Sequence, residues 1–360
     1  MSKEYDRFRL DGHKLLWHLD RVHAWQQGEL VAPLYLEISP TSRCNHRCIF
    51  CGKDFARNQT SQLDTSIICQ RLSEMGKLGV RSIMFAGEGE PLLHPDLARI
   101  VETTKQSGID VAITTNGSLG NADLWRTILP NLSWIRFSVD AGTAQSYAAV
   151  HGVSPTVFDQ TIASITAALA VKQELKLPVT IGVQFLILEQ NIDEIPQAIQ
   201  LFAAVGVDYL SLKPYSLHPQ MRAKMDVNYA LDSADRIQTL VEAQEAGKMQ
   251  VIFRKASLTK YAKKERRYSH CRALQFWGYI SGDGSFHTCS MFIGDPRFRV
   301  GNIYTQNMKE IFFGIERARC IAFAQSELSM EGECRVNCRM ARINEFLEFA
   351  ADKPEHINFI

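Results

Sequence analysis

Three cysteines, Cys44, Cys48 and Cys51, stand in the spacing CxxxCxxC within ISPTSRCNHRCIFCGKDF, Ile38 to Phe55. Three thiolates on one short loop make a metal site that needs a fourth ligand. Iron–sulfur clusters are held by cysteine thiolates, and a four-iron cubane with only three cysteines keeps one iron open to another molecule. Zinc, with His46 or a distant cysteine completing the set, is the competing reading, although zinc sites usually pair two CxxC-like knuckles. A second group lies far along the chain: Cys271, Cys289, Cys334 and Cys338. The GDG between two β-rich runs reads as a hairpin turn that returns Cys289 toward the level of Cys271. In CRVNC, Cys334 and Cys338 can reach one metal from a single turn, so four thiolates converge, and zinc is again an alternative. Cys69 and Cys320 lie in apolar helical patterns, where a buried inert thiol is the default.

These loops need a scaffold, and the chain supplies a regular one. GHKLLWHLDRVHAWQQ, residues 12–27, places Leu15, Leu16, Leu19 and Val22 at helical spacing and predicts an amphipathic lead-in helix with its two tryptophans in the core. From Leu34 the pattern changes. LYLEIS, RSIMFA, DVAITT, WIRFSV, VTIGVQFLIL and VDYLSL each precede a loop and then a helical segment, such as Thr65 to Leu78, Asp96 to Ser107 and Phe158 to Leu175. Six βα units in succession predict an α/β fold with a parallel sheet and right-handed crossovers. Periodicity leaves open whether that sheet is doubly wound or curved into a partial barrel; in both, working residues sit just past the C-terminal strand ends. A helix near Leu231 to Glu245 and a short strand, QVIF, follow. The run RKASLTKYAKKERRYS, with seven basic residues from Arg254 to Arg267, reads as a solvated linker at a domain boundary, and Met308 to Ala324 as one later helix.

Composition narrows the class. The chain has 360 residues, 46% of them hydrophobic, enough for a large core and a smaller domain. Forty basic residues against thirty-nine acidic leave a formal charge of +1, so no global field favours nucleic acid or membrane surfaces. The N-terminus lacks an apolar signal core and no later run approaches a membrane span, so a cytoplasmic protein is expected. Nine cysteines in that setting read as a supply of metal ligands, seven of them in the two groups, rather than as a disulfide framework.

Taken together, CxxxCxxC with Phe50 just before its last cysteine resembles the signature of the radical S-adenosylmethionine (radical SAM) superfamily. The resemblance implies that Cys44, Cys48 and Cys51 hold a [4Fe–4S] cluster and that S-adenosylmethionine occupies its open iron. Phe50 would pack near the adenine. Reduction by a donor such as flavodoxin or ferredoxin would then release a 5′-deoxyadenosyl radical that abstracts a substrate hydrogen. It also implies a partial (β/α)6 TIM-like barrel. One βα unit later, AGEGEPLLHP resembles the family's GGE motif; this copy reads Gly87, Glu88, Gly89, Glu90, with Glu90 favoured over Glu88 for the cofactor's amino group because it precedes Pro91. Asn116 in TTNG, Ser138 and Asp140 in FSVDAG, and Gln184 in the fifth strand fall where the family places polar cofactor contacts, helix capping being the competing role for Asp140. Cys271, Gly284 and Cys289 match the opening of the auxiliary-cluster domains called SPASM and twitch. A second [4Fe–4S] cluster follows by the same resemblance, and some relatives return a hydrogen atom from an unligated cysteine, which makes Cys320 a candidate donor.

The expected organisation is a lead-in (1–30), a barrel (31–250), a twitch-like domain (251–346) and a tail (347–360). Lys213, Tyr215 and His218 in KPYSLHP follow strand six and offer charge, hydroxyl and imidazole to a polar or anionic substrate. The expected reaction is dehydrogenation or epimerisation of a small polar molecule such as a sugar or aminocyclitol derivative. A peptide-modifying maturase is the alternative enzyme. A non-catalytic zinc or iron–sulfur scaffold is the rival from another class.

Overall fold

The computed structural model describes residues 11–56, 59–215, 218, 220–222, 229–255, 258, 266–335, 338–352 and 354–359. Its strands are β1 (Tyr35–Ile38), β2 (Ser82–Phe85), β3 (Asp110–Thr115), β4 (Leu132–Ser138), β5 (Thr180–Ile187), β6 (Tyr209–Pro214), β7 (Gln250–Phe253), β8 (Trp277–Ile280), β9 (Ser285–His287) and β10 (Arg299–Asn302). The helices are α1 (Leu19–Gln26), α2 (Thr65–Lys77), α3 (Leu97–Gln106), α4 (Ala122–Ile128), α5 (Ala144–His151), α6 (Thr156–Glu174), α7 (Ile195–Val205), α8 (Tyr229–Asp232), α9 (Ala234–Glu242), α10 (Met308–Phe313), α11 (Ile315–Ser326) and α12 (Ala341–Ala351). All strands belong to one sheet in the order β10-β9-β8-β1-β2-β3-β4-β5-β6-β7. From β1 to β7 every neighbour is parallel. The six expected strands are β1 to β6, and the open edges at β7 and β10 make this a partial barrel.

Side-chain alternation separates the two faces of the sheet. On β4, Ile135 and Phe137 are fully buried, and Phe137 meets Trp125 of α4 with ring centroids 5.7 Å apart. Arg136 and Ser138 must therefore point the other way, into the lumen, because successive side chains alternate across a strand. Trp134, Arg136 and Ser138 are only half-buried there, as are Thr114 on β3, Leu186 on β5 and Lys213 on β6. The lumen wall is polar and accessible, while the apolar face lies under the helices.

The second domain is a continuation of this sheet. β8 pairs in parallel with β1, from Tyr35↔Trp277 to Ile38↔Ile280, and β9 returns antiparallel across the expected GDG hairpin. The expected boundary at 250/251 falls inside β7, which pairs with β6 and so completes the barrel. That at 346/347 falls inside α12, whose Phe346 packs on Gly12 of the lead-in. The expected solvated linker from Arg254 to Arg267 lies mostly outside the described residues; Arg266, near its end, is not solvated but donates to the carbonyls of Met330 and Cys334.

The lead-in departs from its amphipathic reading. Residues Gly12–His18 form a 3-10 helix before α1, so the apolar stripe does not stay on one face: Leu15 and Val22 are buried, whereas Leu16 and Leu19 are exposed. Trp25 joins the core, but Trp17 is 75% exposed. The single helix expected from Met308 to Ala324 is broken at Gly314, which is extended and starts α11.

Arg317 of α11 locks these parts together. Its guanidinium is fully buried and donates to the carbonyls of Val31 (2.9 Å), Phe312 (2.6 Å) and Gln275 (2.9 Å). Arg317→Ala would strand three buried acceptors and should destabilise the fold by about 3–5 kcal/mol. A urea midpoint that does not move would remove this role.

Candidate metal and cofactor site

The first cysteine loop leaves β1 and is clamped from both sides. Glu90 N donates to Arg43 O (2.8 Å), while Arg47 N and Ile49 N donate to His151 O (2.9 Å) and Val150 O (3.0 Å) at the end of α5. The loop is thus held against the β2 loop and α5, at the C-terminal rim of the barrel. Burial, the neighbouring thiols and other nearby groups raise the pKa of Cys44 to about 11 and that of Cys48 well above its usual value. A thiol so placed releases its proton to solvent when a metal cation binds and supplies the compensating charge.

The second group converges as its spacing predicts. Cys271, Cys289, Cys334 and Cys338 line one cavity, walled otherwise by apolar side chains such as Met291 and Phe298, by Tyr268 and Arg335, and by Asn344, whose amide donates to Cys271 Sγ at 3.6 Å. Neither histidine nor carboxylate enters that lining. Burial and the neighbouring thiols push Cys271 up to about 12.

Spacing tests which metal the thiols fit. Two thiolates on one zinc stand about 3.8 Å apart, the chord of two bonds of about 2.3 Å at the tetrahedral angle. Among the described residues, only His46, Cys48 and His151 bring three ligand-type atoms within 4.8 Å of one another. Neighbouring thiols help to raise the pKa of Cys44, Cys48, Cys271, Cys289 and Cys334, yet among the described residues no three cysteine sulfurs lie within 4.8 Å of one another. A polynuclear iron–sulfur cluster fits both sets. Anaerobically reconstituted protein should hold about eight irons, and Cys271→Ser protein about four; zinc at the second site would refute the assignment.

His151 was not legible as part of this site. Its Nδ1 lies 3.2 Å from Cys48 Sγ and its Nε2 2.6 Å from Val139 O. The carbonyl can only accept, so Nε2 carries the hydrogen and Nδ1 accepts from the Cys48 thiol. Neither ring nitrogen of buried His46 has a hydrogen-bond partner among the described residues. Lys53, two residues after Cys51, donates to Ser290 O at 2.8 Å and lies 5.3 Å from the Tyr279 ring centroid, joining the first loop to the second domain. Burial lowers its pKa to about 8 against the pull of Glu88.

The expected cofactor residues divide. Glu88 accepts from Tyr279 Oη (2.8 Å) and Gly282 N (3.2 Å), so its carboxylate ties the β2 loop to the hairpin. Glu90 is buried beside Cys44 and accepts from Thr115 Oγ1, Asn116 N (2.8 Å) and Leu92 N (3.0 Å). Asn116 reaches Asn45 Oδ1 on the cysteine loop at 2.8 Å. Gly87 has φ +138° with Ser39 and Tyr279 against it, and Gly89 sits against the backbone of Thr41 and Arg43. Ser138 pairs with Gln184 across β4 and β5, two polar side chains on adjacent strands.

Asp140 departs from the alternating pattern that put it beside Ser138. It turns left-handed at φ 54°, is fully buried, and accepts from Leu186 N (2.5 Å), with Oδ2 3.5 Å from His151 Nε2. Its carboxylate therefore fastens β4 to β5, and burial raises its pKa to about 7.

The three expected substrate residues part company. Lys213 faces the lumen without a hydrogen bond or ion pair among the described residues. Tyr215 turns into an apolar cluster with Val150, Leu188 and Phe50, its hydroxyl on Met221 sulfur. His218 stacks on Phe55 at 5.0 Å and approaches Ser290 O at 3.3 Å. Phe50 itself meets the His151 ring edge-on at 5.5 Å. Cys320 is buried beside Thr288 Oγ1 at 3.0 Å, in the core of the second domain and away from the lumen wall. A hydrogen donor must reach the lumen, so that placement disfavours Cys320.

Comparison with known proteins agrees with this geometry. The profile of the Radical SAM superfamily matches residues 38–202, and that of the SPASM iron-sulfur cluster-binding domain matches residues 271–339. A GTP 3′,8-cyclase of Chlorobaculum tepidum is 33% identical over 189 residues, 51% of this chain and 55% of that protein. The tungsten-containing aldehyde ferredoxin oxidoreductase cofactor-modifying protein of Pyrococcus furiosus is 28% identical over 179 residues, 49% of each chain. The chain spans about half the length of these curated relatives. Among solved structures, Streptococcus suis SuiB bound to S-adenosylmethionine shares the fold at TM-score 0.66 and 18% identity, over 86% of this chain and 73% of that one. Native anSMEcpe with bound AdoMet does so at TM-score 0.59 and 17% identity, over 87% and 89%. No helix among the described residues is long and apolar enough to cross a membrane. With its cysteine loop on the rim of a partial barrel and its second thiol set in the added hairpin domain, the chain belongs to the radical SAM superfamily and carries a SPASM/twitch-type auxiliary iron–sulfur domain.

Proposed function

We propose that this enzyme abstracts hydrogen from a small polar substrate held in the barrel lumen, leading to dehydrogenation or epimerisation. Cys44, Cys48 and Cys51 would hold the first cluster with S-adenosylmethionine, whose reductive cleavage would supply the 5′-deoxyadenosyl radical, the electron coming from a flavodoxin- or ferredoxin-type donor. The chain's own residues position and shield. Phe50, Val150 and Tyr215 close an apolar wall beside the cysteine loop, and Ser138 with Gln184 offers a hydroxyl and an amide one layer below. The observation that carries the small-molecule reading is Lys213, a cation on the lumen wall with no protein partner among the described residues. Relatives named for a nucleotide substrate favour it too.

A peptide-modifying maturase is the second reading, favoured by the likeness to SuiB, one of whose structures holds the precursor peptide SuiA. Size-fractionated cell extract decides between them. Reduced, reconstituted enzyme should form 5′-deoxyadenosine faster with the fraction of small metabolites; stimulation confined to the peptide fraction would hand the function to the maturase.

A further inference from the structure

Among the described residues, the lumen gathers more cations than carboxylates to offset them. Lys213 on β6 comes opposite Arg254, since Leu212 pairs with Phe253 and Arg254 N donates to Leu212 O at 3.1 Å; the Arg254 side chain itself is held by Ser211 Oγ at 3.3 Å. Arg136, on the lumen face of β4, gives one Nη2 bond to Thr114 Oγ1 (3.2 Å) and leaves its buried Nε unpartnered. Arg335 enters from the second domain, between Cys334 and Cys338, and its Nε is also buried without a partner. Neither Arg136, Lys213 nor Arg335 has an ion pair among the described residues. Of the carboxylates nearby, Glu37 is taken by Arg339 and Tyr35 Oη (2.8 Å), while Asp140 accepts from Leu186 N through Oδ1 and has only its buried Oδ2 to set against Lys213. Charges of one sign gathered away from water repel one another. Lys213 shows the effect, its pKa lowered to about 7 by burial first and then by Arg136, Arg335 and Arg254.

Such a set is stable when an anion sits among it. We infer that Arg136, Lys213 and Arg335 form an anion subsite spanning both domains, which takes a phosphoryl or diphosphoryl group of the substrate. One carboxylate would offset one of these cations, whereas a diphosphate carries charge for several, and guanidinium forks match phosphate oxygens in pairs. Because Arg335 sits between two auxiliary-cluster cysteines, ligation of that cluster fixes one wall of the subsite. The inference builds on the small-molecule reading and narrows its substrate to phosphorylated compounds.

Equilibrium dialysis of the reconstituted enzyme against labelled pyrophosphate tests it without turnover. Wild-type protein should bind saturably, with affinity falling as salt rises. Lys213→Ala and Arg335→Gln should each weaken binding at least about tenfold, and Lys213→Arg should restore most of it. Binding should persist with saturating S-adenosylmethionine present. Equal pyrophosphate binding in all variants would overturn the subsite. Displacement of pyrophosphate by S-adenosylmethionine would also overturn it, by giving the cations to that cofactor's carboxylate. A failure of S-adenosylmethionine cleavage in wild-type enzyme would instead defeat the radical reading and leave the dialysis result standing.

Discussion

Replacing Cys44, Cys48 and Cys51 together with alanine drops 5′-deoxyadenosine formation to the non-enzymatic background, while the second cluster's roughly four irons remain. The reason is separation. The first thiols sit on the loop after β1, clamped by Glu90 N and by the end of α5. The second set lies in its own apolar cavity between the hairpin and α12. Alanine at the first loop removes the ligands and keeps the backbone bonds, since those run through main-chain atoms. Iron analysis and chromatography of the reduced, anaerobic reaction measure both halves. Undiminished 5′-deoxyadenosine in the triple variant would sink the assignment of this loop; loss of all iron would show that the two sets depend on each other.

Gly89→Ala should cost nearly as much without touching a ligand. A Cβ at that position would stand 2.3 Å from both Arg43 O and Thr41 O, backbone atoms of the cysteine loop. Side chains can swing aside, but here two main-chain segments must separate. Doing so would stretch the Glu90 N to Arg43 O bond of 2.8 Å that seats the loop. Overpacking of this kind costs about 1–3 kcal/mol, and it falls on the geometry of Cys44 itself. The variant should fold, retain the auxiliary cluster, and lose about half its iron together with S-adenosylmethionine cleavage. Normal iron and cleavage in Gly89→Ala would mean that the close approach is not needed to hold the loop. Glu88→Gln, by contrast, should loosen the contact with Tyr279 and Gly282 and act mainly on the junction of the two domains.

Local chemistry made much of this protein legible in advance. Cysteine spacing marks a ligand loop because thiolates on one turn have little else to do in such numbers, and six alternating strand–helix runs leave few topologies besides a parallel α/β sheet. Strands β1 to β6, the GDG hairpin and the convergence of Cys271, Cys289, Cys334 and Cys338 all follow from patterns a few residues long. Tertiary structure decided what depends on partners distant in sequence. Asp140 looked like a lumen carboxylate, but one left-handed residue at the strand end turns it onto Leu186 N, a change no alternation rule foresees. Tyr215 and His218 follow Lys213 in one loop, yet an apolar cluster and the Phe55 ring draw them away, because burial of each ring outweighs their nearness in sequence. His151 reaches Cys48 across 103 positions, and Arg136 and Arg335 come near enough to act on Lys213 only through the tertiary fold. Spacing along the chain fixes which atoms can share a metal; only the folded sheet sets which charges act on one another.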